Sequence, residues 1–201
     1  MVLVAGPQGS GKSTFFPVAH RGHDSFNVDD RRRELNGGSS RKIPLEVRRR
    51  AIKEYGEFIE EHIRRRHSFA IEVTLGKEIT FEQTERACRA GFRVHLTYVA
   101  AEVDDCIGRV ANRVEAGGHG VSASVLRETY AASMRNLSRA VREFDVVQVY
   151  DNSREAQLED APEDATPQLV LEAQRGAITY ARPRPPHWLS AALRGTTHDL
   201  G

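Results

Sequence analysis

Nine residues near the start of the chain, Gly6-Pro7-Gln8-Gly9-Ser10-Gly11-Lys12-Ser13-Thr14, limit what it can fold into. They satisfy the spacing Gly-x-x-x-x-Gly-Lys-[Ser/Thr], and they stand between an apolar run, Val2-Leu3-Val4-Ala5, and a stretch that reads as a helix start. Each part answers to chemistry. Glycines let the backbone curl so that several N–H groups point inward at a polyphosphate. The helix that follows adds the positive end of its dipole. Lys12 supplies a mobile positive charge for the β- and γ-phosphates, and the Ser13 hydroxyl is a ligand for Mg²⁺. A chance match in a glycine-rich turn would not fall between an apolar strand and a helix start. The run Gly6 to Thr14 is therefore read as an ATP-binding loop. No Asn-Lys-x-Asp guanine-reading motif is present, so ATP is preferred over GTP.

The remainder of the chain keeps the same rhythm of short apolar runs and longer amphipathic stretches, which predicts a parallel sheet wrapped by helices. Strands are expected at 1–5, 25–28, 69–73, 94–100 and 145–150, and helices at 12–20, 44–66, 81–90, 103–115 and 122–144. Pro44 suits a first helical turn, Gly91 a helix end and Ser122 a cap. Two further runs, 168–173 and 177–181, are placed to form a C-terminal hairpin, after an acidic, polar surface loop at 151–167. The expected fold is α/β, a P-loop NTPase or kinase fold with a mostly parallel five-stranded sheet. All 201 residues are expected in one domain, with a lid around 103–122 and a C-terminal extension at 154–201.

Composition narrows the partners. With 39% hydrophobic and 28% charged residues the chain is an ordinary globular one, and a net charge of +1 sets general nucleic-acid binding aside. The arginine runs 31–33, 48–50 and 64–66 read as solvated helix faces or as a polyanion-binding strip. Cys88 and Cys106 lie far apart with no metal-ligand spacing, so reduced thiols in a cytoplasmic protein are expected. The apolar start is too short for a signal peptide or a membrane span.

A phosphate loop alone implies nucleotide binding and leaves the reaction open. A kinase needs a base, an acceptor pocket and cations over the phosphates. Strand two runs into Asn27-Val28-Asp29-Asp30, at the sheet edge where ligands bind in open α/β folds. Asp29 there is either the base that takes the acceptor's proton or, like Asp30, a helix cap. Glu72 and Thr74 lie two apart on one face of strand three. A glutamate in an apolar run either faces a polar cavity, to meet the acceptor or Mg²⁺ water, or sits on a solvated edge strand. Arg109 and Arg113, four apart, share a helix face ahead of Gly117-Gly118-His119-Gly120. They are either lid arginines that close over a transferring phosphoryl group or surface arginines. Trp188 reads as a packing anchor or as a ring that stacks a base or sugar, and Asp151-Asn152 as a turn or as groups that hold the adenine.

This ordered set resembles the zeta toxins and their chromosomal relatives. The resemblance rests on the phosphate loop, Phe26-Asn27-Val28-Asp29, Ser68 to Leu75, Gly91 to Leu96, Arg109-Val110, Gly117-Gly118-His119, Asn136-Leu137 and Tyr150-Asp151-Asn152-Ser153, over residues 1–153. It implies an ATP- and Mg²⁺-dependent kinase that phosphorylates UDP-N-acetylglucosamine at the 3′-hydroxyl of its amino sugar. It further implies Asp29 as base, Glu72 and Thr74 at the acceptor, and Arg109 with Arg113 as lid arginines. His119 and Arg127 join the substrate-binding set, and an antitoxin protein is an implied partner. The chain departs from the family at Glu72-Val73-Thr74, where Glu-Thr-Thr is common. It departs again at Glu128-Thr129 before Tyr130, where a paired Arg-Arg is common and only Arg127 is nearby. Two alternatives stay open: a kinase of another hydroxyl (nucleoside, antibiotic or polynucleotide end), and a nucleotide-binding module without turnover.

Overall fold

The computed structural model describes residues 1–116, 118, 120–153 and 166–198. Gly117 and His119 of the expected lid, and 154–165 of the expected acidic loop, lie outside the described residues. Five strands run parallel, β1 (Val2–Ala5), β2 (Asp24–Phe26), β3 (Phe69–Val73), β4 (His95–Ala100) and β5 (Val146–Asp151). The C-terminal hairpin, β6 (Gln168–Gln174) and β7 (Ala177–Ala181), continues the same sheet antiparallel from β5, giving the order β2-β3-β1-β4-β5-β6-β7. The first strand is therefore central. The chain leaves β1 and winds to either side of it, and a crevice at that point of an open sheet is where ligands bind.

Seven helices among the described residues flank the sheet: α1 (Lys12–Phe15), α2 (Val28–Leu35), α3 (Leu45–Arg65), α4 (Glu78–Arg89), α5 (Val103–Glu115), α6 (Ala123–Glu143) and α7 (His187–Leu193). Several boundaries correct the expectations. The helix expected over 12–20 ends at Phe15, because Pro17 pushes Phe16 out of helical geometry (φ −132°, ψ 55°), and a 3-10 turn follows at Val18–His20. Strand two stops at Phe26, because the Asn27 side chain accepts from the Asp29 and Asp30 amides and opens α2, a helix the apolar pattern did not reveal. Asn27, not either aspartate, is thus the cap. Pro44 sits at the cap of α3 rather than inside its first turn, α4 begins at Glu78, and α7 was not foreseen.

The two sheet faces are covered unequally. The larger core lies on one face, where Leu3, Ile71, Leu96, Tyr98, Val147 and Leu171 meet α3, α4, α6 and α7 through Ile59, Phe81, Leu137 and Leu189. On the other face Val4, Val18 and Ala70 form a small cluster with Val2 and Phe16. A third cluster, Ala101, Cys106, Val110 and Leu126, joins α5 to α6. No helix among the described residues is long and apolar enough to cross a membrane.

One polar chain threads the main core. The buried Ser133 hydroxyl donates to the Thr74 carbonyl at 2.6 Å, so the neighbouring Tyr98 hydroxyl, 2.8 Å away, must donate to Ser133. With Asn136 Nδ2 on the Leu75 carbonyl at 2.9 Å, α6 holds the loop after β3, where the buried Leu75 has a left-handed φ of 59°. Ser133→Ala removes the hydroxyl that serves both the Thr74 carbonyl and the buried Tyr98 hydroxyl, and is expected to lower stability by about 1–3 kcal/mol, read from urea unfolding. An unchanged midpoint would show that this chain contributes nothing.

Candidate active site

The phosphate loop curls between β1 and α1. Gly9 and Gly11 take φ of 80° and 90°, and a Cβ on either would collide, with the Cys106 carbonyl and the Asn152 amide respectively. Only glycine fits these two positions. The loop's last turn aims Lys12 inward. Its ammonium donates to the Pro7 carbonyl at 3.3 Å and lies 3.8 Å from a Glu72 oxygen. Burial lowers the Lys12 pKa, and Glu72 and Asp29 oppose that shift. Ser13 Oγ lies 2.9 Å from each oxygen of the same Glu72 carboxylate.

Glu72 comes from the exit of β3, an interior strand between β2 and β1, and its side chain is only 11% exposed. The solvated-edge reading of this glutamate is therefore overturned. Asp29 comes from the first turn of α2. Its side chain is 68% exposed and pairs with Arg32 at 2.8 Å. Asp30 pairs likewise with Arg33 at 3.0 Å.

One residue beyond the sequence-predicted set completes the floor. Asn152, in the turn after β5, donates from its amide to the Ser10 carbonyl at 2.9 Å. Its own carbonyl accepts from Arg109 at 2.7 Å. The other terminal nitrogen of Arg109, Nη1, is buried without a partner among the described residues, as are Ser10 Oγ and Gln8 Oε1. Unpaired buried polar atoms around a glycine loop are what a polyphosphate would satisfy.

These groups share one cleft of about 660 Å³, lined on one side by the phosphate loop and on the other by α2 and the start of α3. Six cationic side chains, Lys12, Arg32, Arg33, Arg48, Arg109 and Arg113, face three carboxylates, Asp29, Asp30 and Glu72. The excess of positive charge suits phosphorylated ligands.

A family model described as an AAA domain matches residues 1–139. The chain belongs to that family. The AAA domain spans the phosphate loop, Asp29, Glu72, Arg109 and Arg113, while Asn152 lies beyond it. No curated protein matches the chain. Among solved structures, a chain of the PezAT chromosomal toxin–antitoxin system of Streptococcus pneumoniae is similar at 18% identity, over 82% of this chain and 72% of that one, with a TM-score of 0.59. A chain of the AvrRxo1-ORF1:-ORF2 structure with ATP is similar at 16% identity, over 89% of this chain and 60% of that one, with a TM-score of 0.62. A chain of the Pnkp1/Rnl/Hen1 RNA repair complex gives 20%, 69%, 45% and 0.54 in the same measures. This chain thus spans less than two thirds of the latter two. The zeta-toxin-like P-loop kinase fold expected from the motifs is the fold it has.

Of the sequence-predicted residues, Lys12, Ser13, Asp29, Glu72, Arg109 and Arg113 line the cleft, with Gln8, Gly9, Gly11 and Thr14 of the loop. Thr74 does not line it, since the chain turns after β3 and α6 holds the Thr74 carbonyl. Arg127 does not either. It pairs with Asp104 across α5 and α6 at 2.8 Å, both side chains exposed. His119 is outside the described residues. The three arginine runs divide: 64 and 65 pair with Glu61 on a solvated face, while Arg32, Arg33 and Arg48 reach the cleft. Asn152 could have been found from the Tyr-Asp-Asn-Ser motif, though nothing in that motif says which loop it grips.

Cys106 lies in the first turn of α5, beneath the phosphate loop, and burial pushes its thiol up to about 11. Cys88 is exposed. At pH 8 the native protein is expected to react with a thiol reagent at Cys88 alone. Cys106 has about a hundredfold less thiolate than an unshifted thiol, besides being covered. Unfolding should release the second thiol. Two fast thiols in the native protein would contradict this packing.

Proposed function

We propose that the protein is an ATP- and Mg²⁺-dependent kinase that transfers the γ-phosphoryl group to a hydroxyl of a nucleotide-sugar such as UDP-N-acetylglucosamine. The observation that carries the reading is the convergence of Lys12, Ser13, Glu72, Arg109 and Asp29, from four separate elements, on one cationic cleft. A protein that only bound nucleotide would have no use for an exposed carboxylate held opposite its phosphate loop.

Each residue has a role that its place supports. The amides of Gly9 to Ser13 and the Lys12 ammonium bind the β- and γ-phosphates. Asp29 accepts the proton of the acceptor hydroxyl as that oxygen forms its bond to the γ-phosphorus. The bond from the γ-phosphorus to the bridging oxygen breaks, and ADP leaves with the electron pair. Arg109, with Nη1 unpaired and its other nitrogen fixed on Asn152, and Arg113 on the next turn offset the charge that spreads over the phosphoryl oxygens. The 103–122 segment that carries them acts as the lid. Ser13 and Glu72 offer three hard oxygens within one small volume, which fits Mg²⁺, and the ion would neutralise phosphate charge there. Among the described residues no cluster of three or more metal-ligating side chains exists, so phosphate oxygens and water would complete its shell. His119 belongs at the acceptor through the family resemblance alone; the resemblance gives Thr74 and Arg127 the same role, although neither lines the cleft. A cytoplasmic protein with an antitoxin partner belongs to the same reading, one similar structure being of a toxin–antitoxin system.

A second acceptor class is a polynucleotide end, favoured by Arg32, Arg33 and Arg48 along the open rim of the cleft. Strongly salt-dependent binding of single strands would point to it.

The test is incubation with ATP, Mg²⁺ and UDP-N-acetylglucosamine, with mass spectrometry for a product heavier by one phosphoryl group. Asp29→Asn should lower turnover by about 10²–10⁴-fold and leave ATP binding intact. No product from the wild type despite ATP binding would sink this acceptor. Full activity of the variant would sink the base.

A further inference from the structure

The C-terminal segment beyond β5 is built into the phosphate loop through one indole. Trp188, at the start of α7 and only 4% exposed, donates from Nε1 to Asp151 Oδ1 at 3.0 Å. The same oxygen accepts from the Ser153 amide at 3.1 Å and from the Ser153 hydroxyl at 2.6 Å. Three donors on one buried carboxylate oxygen fix the 151–153 turn tightly.

That turn is the part that touches the site. The Asn152 amide N–H donates to the Ala100 carbonyl at the end of β4 (2.7 Å), and its side chain donates to Ser10 of the phosphate loop. The Asn152 carbonyl accepts from Arg109. Ser153 Oγ, besides donating to Asp151, accepts from the Glu102 amide at the cap of α5, at 3.0 Å. One turn therefore sets the loop that would hold phosphates, the helix that carries Arg109, and Arg109 itself. A packing anchor would need none of these bonds. A ring in the same core without an N–H would pack as well and leave one lobe of Asp151 unfilled.

We infer that Trp188 is a positioning residue: through Asp151 it holds the 151–153 turn in the one conformation that orders the phosphate loop and Arg109. The segment that supplies it lies outside the 1–139 span of the AAA domain, so this chain's own C-terminal extension sets the readiness of its nucleotide site. The part of this inference that concerns ATP rests on the proposed kinase reading. The part that concerns the loop's order does not.

The experiment compares Trp188→Phe, Asp151→Ala and Asp151→Asn with wild type in the full chain. Asparagine keeps an acceptor oxygen in the place of Oδ1, and so serves as the conservative rescue. Hydrogen exchange is read first, without nucleotide. Trp188→Phe and Asp151→Ala should quicken exchange in the 6–14 and 102–109 peptides by about threefold or more, with β3 unchanged and Asp151→Asn near wild type. Affinity for ATP with Mg²⁺ should weaken about fivefold in the first two variants and less than twofold in the third. Faster exchange confined to 187–193 would overturn the inference and leave Trp188 as an anchor. Should Trp188→Phe not fold, the two Asp151 variants decide, and equal loop exchange in both would overturn it. A wild-type protein that bound no ATP would remove the kinase reading, while the exchange comparison would still stand or fall alone.

Discussion

A buried ammonium is the constraint around which the site is arranged. Lys12 opens α1 beyond the phosphate loop, where solvent cannot reach it freely, and taking that charge from water is costly unless acceptors surround it. The Pro7 carbonyl and the Glu72 carboxylate are the acceptors present, and both depend on backbone that is itself held elsewhere. Glu72 is aimed by the register of β3 against β1, which sets Val4 beside Glu72. The loop carbonyl is aimed by positive φ angles that favour glycine and by the Asn152 bond to Ser10. Removing any one of these would leave the lysine charge less well met.

The unequal covering of the sheet serves the same end. α3, α4, α6 and α7 pack the large core on one face, which makes the platform rigid. Phe16 and the 3-10 turn cover the other face lightly, and α5 packs on α6. The β6–β7 hairpin lengthens the sheet on the side away from β2, and α7 reaches the end of β5. Residues far along the chain thereby reach the phosphate loop without lining the cleft.

The side of the cleft formed by α2 is built differently from the phosphate-loop side. Around the phosphate loop, partners are buried and geometry is tight. Around Asp29 they are exposed helix pairs, such as Asp29 with Arg32 and Asp30 with Arg33, which hold their partners loosely.

Much of this was legible in the chain itself. The phosphate loop, the five parallel strands and the long helices follow from glycine spacing, apolar runs and helical periodicity, all local properties that tertiary contacts did not override. The ends of elements were less legible where a single residue decides them, as Pro17 does for α1 and Asn27 for α2. What only the tertiary structure decided is which distant groups meet. Local spacing put Glu72 and Thr74 on one face, but the turn after β3, clamped by Ser133 and Asn136, carries Thr74 away from the cleft. The family resemblance alone drew attention to Arg127, and in the folded chain its guanidinium pairs with Asp104. Asn152 and Trp188 carried no local mark of their roles, because their partners lie 142 and 37 residues away and are reached only when the sheet is assembled. Sequence determines what a short segment can do by itself, and the sheet order determines which segments share an edge.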